Sequence, residues 1–245
     1  IDVDGRLGEG VHSKDLILKI IAELGVDGGV GYVYEYGGEA VHDLSMEERL
    51  AVCNMSIEGG ARAGYINPDE TTYEYLKGRE YVPEGEAFEE RKAYWESVAS
   101  DDDAEYDDVV TVDADGLDPL VTWGINPGQV IEISEPVPHP DDFEARTDRE
   151  AAEQALDHME IEAGQSMLGY EVDVAFLGTC TNGRLSDFEE AAKILEGETV
   201  DEDVRALAVP GSETVRQQCE ERGIDEVFIN AGFQWRRAGC SMCLA

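Results

Sequence analysis

The chain has 245 residues, 42% of them hydrophobic and 8% aromatic, which is enough for one large or two small domains with apolar cores and excludes a disordered chain. Its 56 acidic against 18 basic residues give a net charge of −38, which argues against nucleic acid or an anionic membrane as partner. No run approaches ~20 consecutive apolar residues, and the opening IDVDGRLGEG has neither the basic region nor the apolar core of a secretory signal.

Residues 1–10 read as a strand and turn. Ser13 is a fit N-cap for a helix whose Leu16, Ile17, Ile20, Ile21 and Leu24 share one face, and Gly25 is placed to end it. VDGGVGYVYEYGGEA follows as a glycine-rich strand. Its Gly28, Gly29 and Gly31 precede the strand instead of following it, which speaks against a dinucleotide loop. LSMEERLAVCNMSIEGGARAG is a helix, with Ser45 as N-cap and Glu48 closing a capping box. Asn54 and Glu58 are four apart and so share a helical face, which composition alone makes a solvated one. Residues 69–99 are helical in character, 101–108 form an acidic loop, and VVTVDADGLDPLVTWG makes two short strands around a turn. From Ile125 to Tyr170 the chain is rich in Pro and Asp, with one helix near Arg149–His158. The expected fold is α/β in two domains, 1–125 and 126–245, with 126–170 as the connecting segment.

The last part has a regular rhythm: VDVAFLG as strand, GRLSDFEEAAKILEG as helix, VRALAVPG as strand, SETVRQQCEERG as helix and DEVFINAG as strand. This β-α-β-α-β order implies a parallel sheet, whose sites lie at the carboxyl ends of the strands. Cys180, in FLGTCTNG, follows the first strand at such an end. Cys240 and Cys243, in AGCSMCLA, lie beyond the third. Three thiolates are one short of closing a four-iron cluster and would leave one iron open as a Lewis acid. A Cys-x-x-Cys also serves zinc and thiol redox, and a structural zinc wants a fourth Cys or His. None of His12, His42, His139 and His158 is near the cysteine motifs in sequence. Cys53 and Cys219 sit in helix-like contexts and read as buried thiols. Without a secretory signal, a reduced, cytoplasmic setting is expected.

The acids are dispersed, as in FEERKAYWESVASDDDAEYDDVV, and the lysines are only Lys14, Lys19, Lys77, Lys92 and Lys193. This fits a protein kept in concentrated salt, where ~1 M ions shorten the screening length to about 3 Å and quiet carboxylate repulsion. An acidic surface for a partner is the competing reading. The chain lacks an initiator Met and begins as if inside a strand, so an internal piece of a longer protein is expected.

HSKDLILKIIAELGVDGGVGYVYEYGGEA, LSMEERLAVCNMSIEGGARAG, VTWGINPGQV, FLGTCTNGRLSDFEEAA and AGFQWRRAGCSMCLA together resemble the aconitase family over almost the whole chain. TWGINPGQ and MEERLAVCNMSIE resemble its isopropylmalate branch more than the citrate aconitases. The resemblance implies a [4Fe–4S] cluster held by Cys180, Cys240 and Cys243, whose fourth iron takes the hydroxyl and carboxylate of a hydroxy-dicarboxylate. It implies a hydro-lyase that moves the hydroxyl by dehydration and rehydration, 2-isopropylmalate to 3-isopropylmalate, in leucine biosynthesis. The CNMxxE segment places Asn54 near the cluster and gives Glu58 the proton of the iron-bound water or hydroxyl, which reverses the solvated-face reading. Thr179 stands where the family usually has Ser. The family's Asp-Ser-His-Thr motif would lie upstream of Ile1 and its arginine- and asparagine-bearing segment beyond Ala245, and a separate small subunit supplies the serine base. A central fragment of the large subunit, inactive alone, is therefore expected. Another hydroxy-acid isomerase of the homoaconitase or methylmalate type, and a non-catalytic cluster- or zinc-binding module, are the alternatives.

Overall fold

The apolar stripe from Leu16 to Leu24 forms helix α1 (Ser13–Leu24), which buries Leu16, Ile17, Ile20 and Ile21. The helix starts one residue earlier than expected. Asp15 accepts the His12 amide at 2.8 Å on one oxygen and the Leu120 amide at 2.7 Å on the other, so His12 is the cap and Ser13 the buried first residue. Gly25, at φ 84°, ends it as expected. The computed structural model describes residues 1–101 and 103–240. They form a mixed α/β chain in two compact units, Ile1–Leu168 and a second beginning at Gly169.

In the first unit, strand β1 (Asp2–Asp4), strand β2 (Tyr34–Tyr36), helix α2 (Glu39–Asp43), helix α3 (Met46–Met55) and strand β3 (Gly64–Ile66) gather around α1. The expected glycine-rich strand is shorter than its sequence span. Residues 26–31 are turns, because Gly31 has φ +92° and a Cβ on Gly29 would sit 2.4 Å from the Ala61 amide nitrogen. β2 pairs with β3 in parallel, and β1 pairs in parallel with strand β4 (Thr111–Asp113). Helices α4 (Glu70–Leu76) and α5 (Glu86–Ser97) fill the helical stretch expected at 69–99. The two strands of VVTVDADGLDPLVTWG exist but do not pair with each other. β5 (Leu120–Thr122) instead makes an antiparallel hairpin with β6 (Val130–Glu132), across TWGINPGQ. Residues 126–168, expected to connect domains, belong to this unit. Their helix α6 (Arg146–Met159) packs Ala152 and Ala155 with the buried Trp123 and Val137.

The second unit is a three-stranded parallel sheet in the order β7 (Val174–Gly178), β8 (Arg205–Val209), β9 (Gln234–Trp235). Helices α7 (Leu185–Leu195), α8 (Glu213–Glu221) and α9 (Ile224–Ala231) accompany it. DEVFINAG was expected as the third strand and is α9 instead. Ile224, Phe228 and Ala231 recur at i, i+4 and i+7 and are all buried, and Gly223 and Gly232 bracket the helix in left-handed conformations. Its Phe228 ring meets Phe188 and Phe233 edge-on at 5.4 and 5.2 Å. No helix among the described residues is long and apolar enough to cross a membrane.

Candidate functional site

Cys180 is exposed on the loop that leaves β7. The loop is held by contacts that leave no room for side chains. At Gly178, φ +144°, a Cβ would lie 2.1 Å from the Val209 carbonyl oxygen, and at Gly183 one would lie 2.3 Å from that of Thr179. Between them Thr179 has φ 98°, a conformation that costs a β-branched residue on the order of 1–3 kcal/mol. Strain of this kind persists only where surrounding structure dictates it, and here it lies directly before the cysteine. Asn182 has its side-chain oxygen buried without a hydrogen-bond partner among the described residues. The Arg184 amide donates to Asp187 at 2.9 Å and starts α7, whose positive N-terminal end favours negative charge beside the loop.

The second cysteine segment reaches the same end of the sheet. Gly211 follows β8 and donates its amide to the Gly183 carbonyl at 2.7 Å. Its neighbour Pro210 accepts the Gly239 amide at 3.4 Å. A single turn, Pro210–Gly211, therefore touches both the Cys180 loop and the residue before Cys240. Cys240 is half-buried, and Cys243 lies outside the described residues. Among the described residues no three His, Cys, Asp or Glu side chains form a metal-binding group. Thiolate donors as a class suit a soft metal or an iron–sulfur cluster.

Asn54 and Glu58 belong to the first unit, and both are exposed. The single helical face expected for them is not formed, because α3 stops at Met55. Glu58 follows in a turn of i→i−3 bonds, its amide to the Met55 carbonyl at 3.2 Å and that of Gly59 to Ser56 at 3.2 Å. The turn is firmly seated. Ser56 is buried and its hydroxyl bridges Tyr36 at 2.7 Å and the Val52 carbonyl at 3.2 Å, while the Gly59 carbonyl accepts the Gly29 amide at 2.8 Å. At the other end of α3 the expected Ser45–Glu48 capping box is present. Arg49 is 2% exposed and donates to the carbonyls of Leu44 (3.1 Å) and His42 (2.8 Å) and to Asp69 (2.6 Å). Burial raises the Asp69 carboxyl, but the Arg49 and Thr72 hydrogen bonds outweigh it and hold the group below its usual value. Of the two thiols expected to be buried, Cys219 is wholly buried and Cys53 only half-buried; desolvation pushes both up to about 11, so both stay protonated near neutrality.

Asn182 and Arg49 were not singled out from sequence, and Thr179 was noted only as standing where the family usually has Ser. Arg49 had a signal: it sits at i, i+3 and i+7 with Val52 and Ser56, on the buried stripe of its helix. The strain at Thr179 had none, since φ is not written in residue type.

The aconitase family profile (aconitate hydratase) matches residues 1–245. The chain is 61% identical over 245 residues to the 3-isopropylmalate dehydratase large subunit of Halorubrum lacusprofundi, covering 100% of this chain and 52% of that protein. It is 59% identical to the proteins of that name from Salinibacter ruber and Haloferax volcanii, again over 100% of this chain and 52% of theirs. The chain thus spans about half the length of the curated relatives it matches.

Proposed function

The chain belongs to the aconitase family, and on that premise we propose that it is part of the large subunit of a 3-isopropylmalate dehydratase. The single observation that carries this from structure is the Pro210–Gly211 turn, bonded on one side to the Cys180 loop and on the other to Gly239. It supports a common site for Cys180 and Cys240, with Cys243 as third ligand. The residues present fit a [4Fe–4S] group: the donors are thiols, the loop backbone packs too closely for side chains at Gly183 and Gly211, and Asn182 keeps a buried polar atom unused. When bound, the cluster would supply a Lewis-acidic iron for the hydroxyl and a carboxylate of the substrate.

The chain's own residues divide the remaining work. Glu58 holds and returns the proton of the migrating hydroxyl, and Asn54 donates a hydrogen bond that orients the group beside it. Helix α3 carries Asn54 and the seated turn at Ser56–Gly59 that follows it carries Glu58, both within the first unit. We place the cysteines in a C-terminal α/β domain and Asn54 and Glu58 in an N-terminal one. Substrate is a hydroxy-dicarboxylate, 2-isopropylmalate in leucine biosynthesis, and the partner is a small subunit that completes the complex.

The test is anaerobic iron–sulfur reconstitution in molar KCl, reading iron, sulfide and visible absorption. Iron and sulfide at [4Fe–4S] stoichiometry, lost on Cys180→Ala and on Cys240→Ala, is expected. Cluster content unchanged by either substitution overturns the ligand assignment. In the full-length enzyme with its small subunit, Glu58→Gln with near-parental turnover overturns the proton role.

A further inference from the structure

The turn that follows α3 leaves two side chains outside. Met55, Ser56, Gly59 and Ala61 are buried, while Ile57 and Glu58 between them are exposed, Ile57 at 58%. The backbone beneath these two is held from both sides. The Ser56 carbonyl accepts the amides of Gly59 at 3.2 Å and Ala61 at 3.1 Å, and the Ile57 carbonyl accepts that of Gly60 at 2.9 Å. A Cβ on Gly59 would lie 3.3 Å from the Ile21 side chain, so the turn sits directly on the core around α1.

Apolar side chains exposed singly are ordinary on a protein surface. Ile57 is set apart by its setting. The Glu58 carboxylate and the Asn54 side-chain amide make no hydrogen bond or ion pair among the described residues. The polar groups on either side of Ile57 therefore have their bonding capacity left over for a ligand. A β-branched side chain has one stiff torsion, and this one stands on a hydrogen-bonded turn, so Ile57 offers an apolar surface of fixed shape.

We propose that Ile57 is a specificity-determining residue, which covers the branched alkyl group of the substrate. This rests on the proton role given to Glu58 above. In 2-isopropylmalate the isopropyl group and the hydroxyl are borne by the same carbon. A carboxylate that exchanges a proton with that hydroxyl stands close to the isopropyl methyls, and its chain neighbour, with its Cα only ~3.8 Å away, is within reach of them. A polar residue at this position would meet methyl groups with nothing to bond. An isoleucine meets them with apolar surface, and both sides leave water. A hydroxy-diacid bearing only a methyl there would leave most of the Ile57 side chain wet, so the contact favours the longer branch.

The experiment uses the full-length large subunit with its small subunit, reconstituted in molar KCl. Parent, Ile57→Ala, Ile57→Val and Ile57→Thr are compared by kcat and KM for 2-isopropylmalate and by the inhibition constant of 2-methylmalate, which has a methyl in place of the isopropyl. Ile57→Ala is expected to raise KM for 2-isopropylmalate about tenfold and to shift the inhibition constant of 2-methylmalate less than about twofold. Ile57→Val should keep most of the affinity, whereas Ile57→Thr, close to Val in shape but carrying a hydroxyl, should fall with Ala. Val98→Ala, which truncates another exposed apolar residue of the first unit, leaves both constants unchanged. An equal shift in the two constants, or no shift in either, overturns the proposal. Loss of the small subunit from the Ile57→Ala enzyme on gel filtration also overturns it, in favour of a docking contact. A parent that does not convert 2-isopropylmalate refutes the dehydratase assignment itself, whereas an active parent matched by Ile57→Ala refutes this inference alone.

Discussion

Replacing Arg49 by Met tests how far one buried cation holds α3 in place. Arg49 is 2% exposed and donates to the His42 and Leu44 carbonyls and to Asp69. Met fills much of the stem's volume but offers no donor, so two carbonyls lose their partners at about 1–1.5 kcal/mol each. Loss of the ion pair adds less than for a fully buried acid, because Asp69 is about a third exposed and keeps the Thr72 amide at 3.2 Å. The expected destabilisation is about 3 kcal/mol, at the lower end for breaking a buried pair. It also has a pH signature. Asp69 has a lowered carboxyl pKa in the fold. Its contribution is therefore fully present above its unfolded value near pH 3.9 and is lost as pH falls through the lower folded value. The acid limb of the parent's stability curve should thus be steeper than that of the variant. Urea unfolding in molar KCl, followed by the helix signal between about pH 3 and 7, measures both. A variant within about 1 kcal/mol of the parent at pH 7 would refute the reasoning, because a buried guanidinium with three acceptors would then contribute nothing net.

Phe228→Ala removes a fully buried ring set against Phe188, Phe233 and Trp235, and should cost about 3–5 kcal/mol with a shift in tryptophan emission. Gly183→Ala places a Cβ 2.3 Å from the Thr179 carbonyl oxygen. It should cost on the order of 1–3 kcal/mol in urea unfolding and lower the iron bound after reconstitution in parallel. Burial raises the Glu35 carboxyl, but hydrogen bonds from Tyr65, Ser100, Tyr106 and Asn67 outweigh it and leave it below its usual value. Stability from Glu35 is then present above about pH 4.3 and lost as pH falls through the lower folded value, so Glu35→Gln should flatten the acid limb in a thermal-melt series.

What lay in the sequence was whatever neighbours along the chain decide. The apolar stripe of α1, the Ser45–Glu48 box, the helices at 69–99 and near 149–158, and the β7–α7–β8–α8 run all follow from spacing and capping over a single turn or two. The cysteine motifs and the family were legible for the same reason, being contiguous strings. Ile224–Ala231 shows the limit: its short apolar run suits strand or helix, and burial of Ile224, Phe228 and Ala231 on one side settled it as helix. Tertiary structure alone decided that β1 pairs with β4 across more than a hundred residues, and that Glu58 leaves the helix carrying Asn54. It alone also put Arg49 inside, held Thr179 at φ 98° and brought one turn against both cysteine segments. Each of these depends on backbone groups or side chains distant in sequence finding partners, and residue type at one position carries no record of which partner that will be.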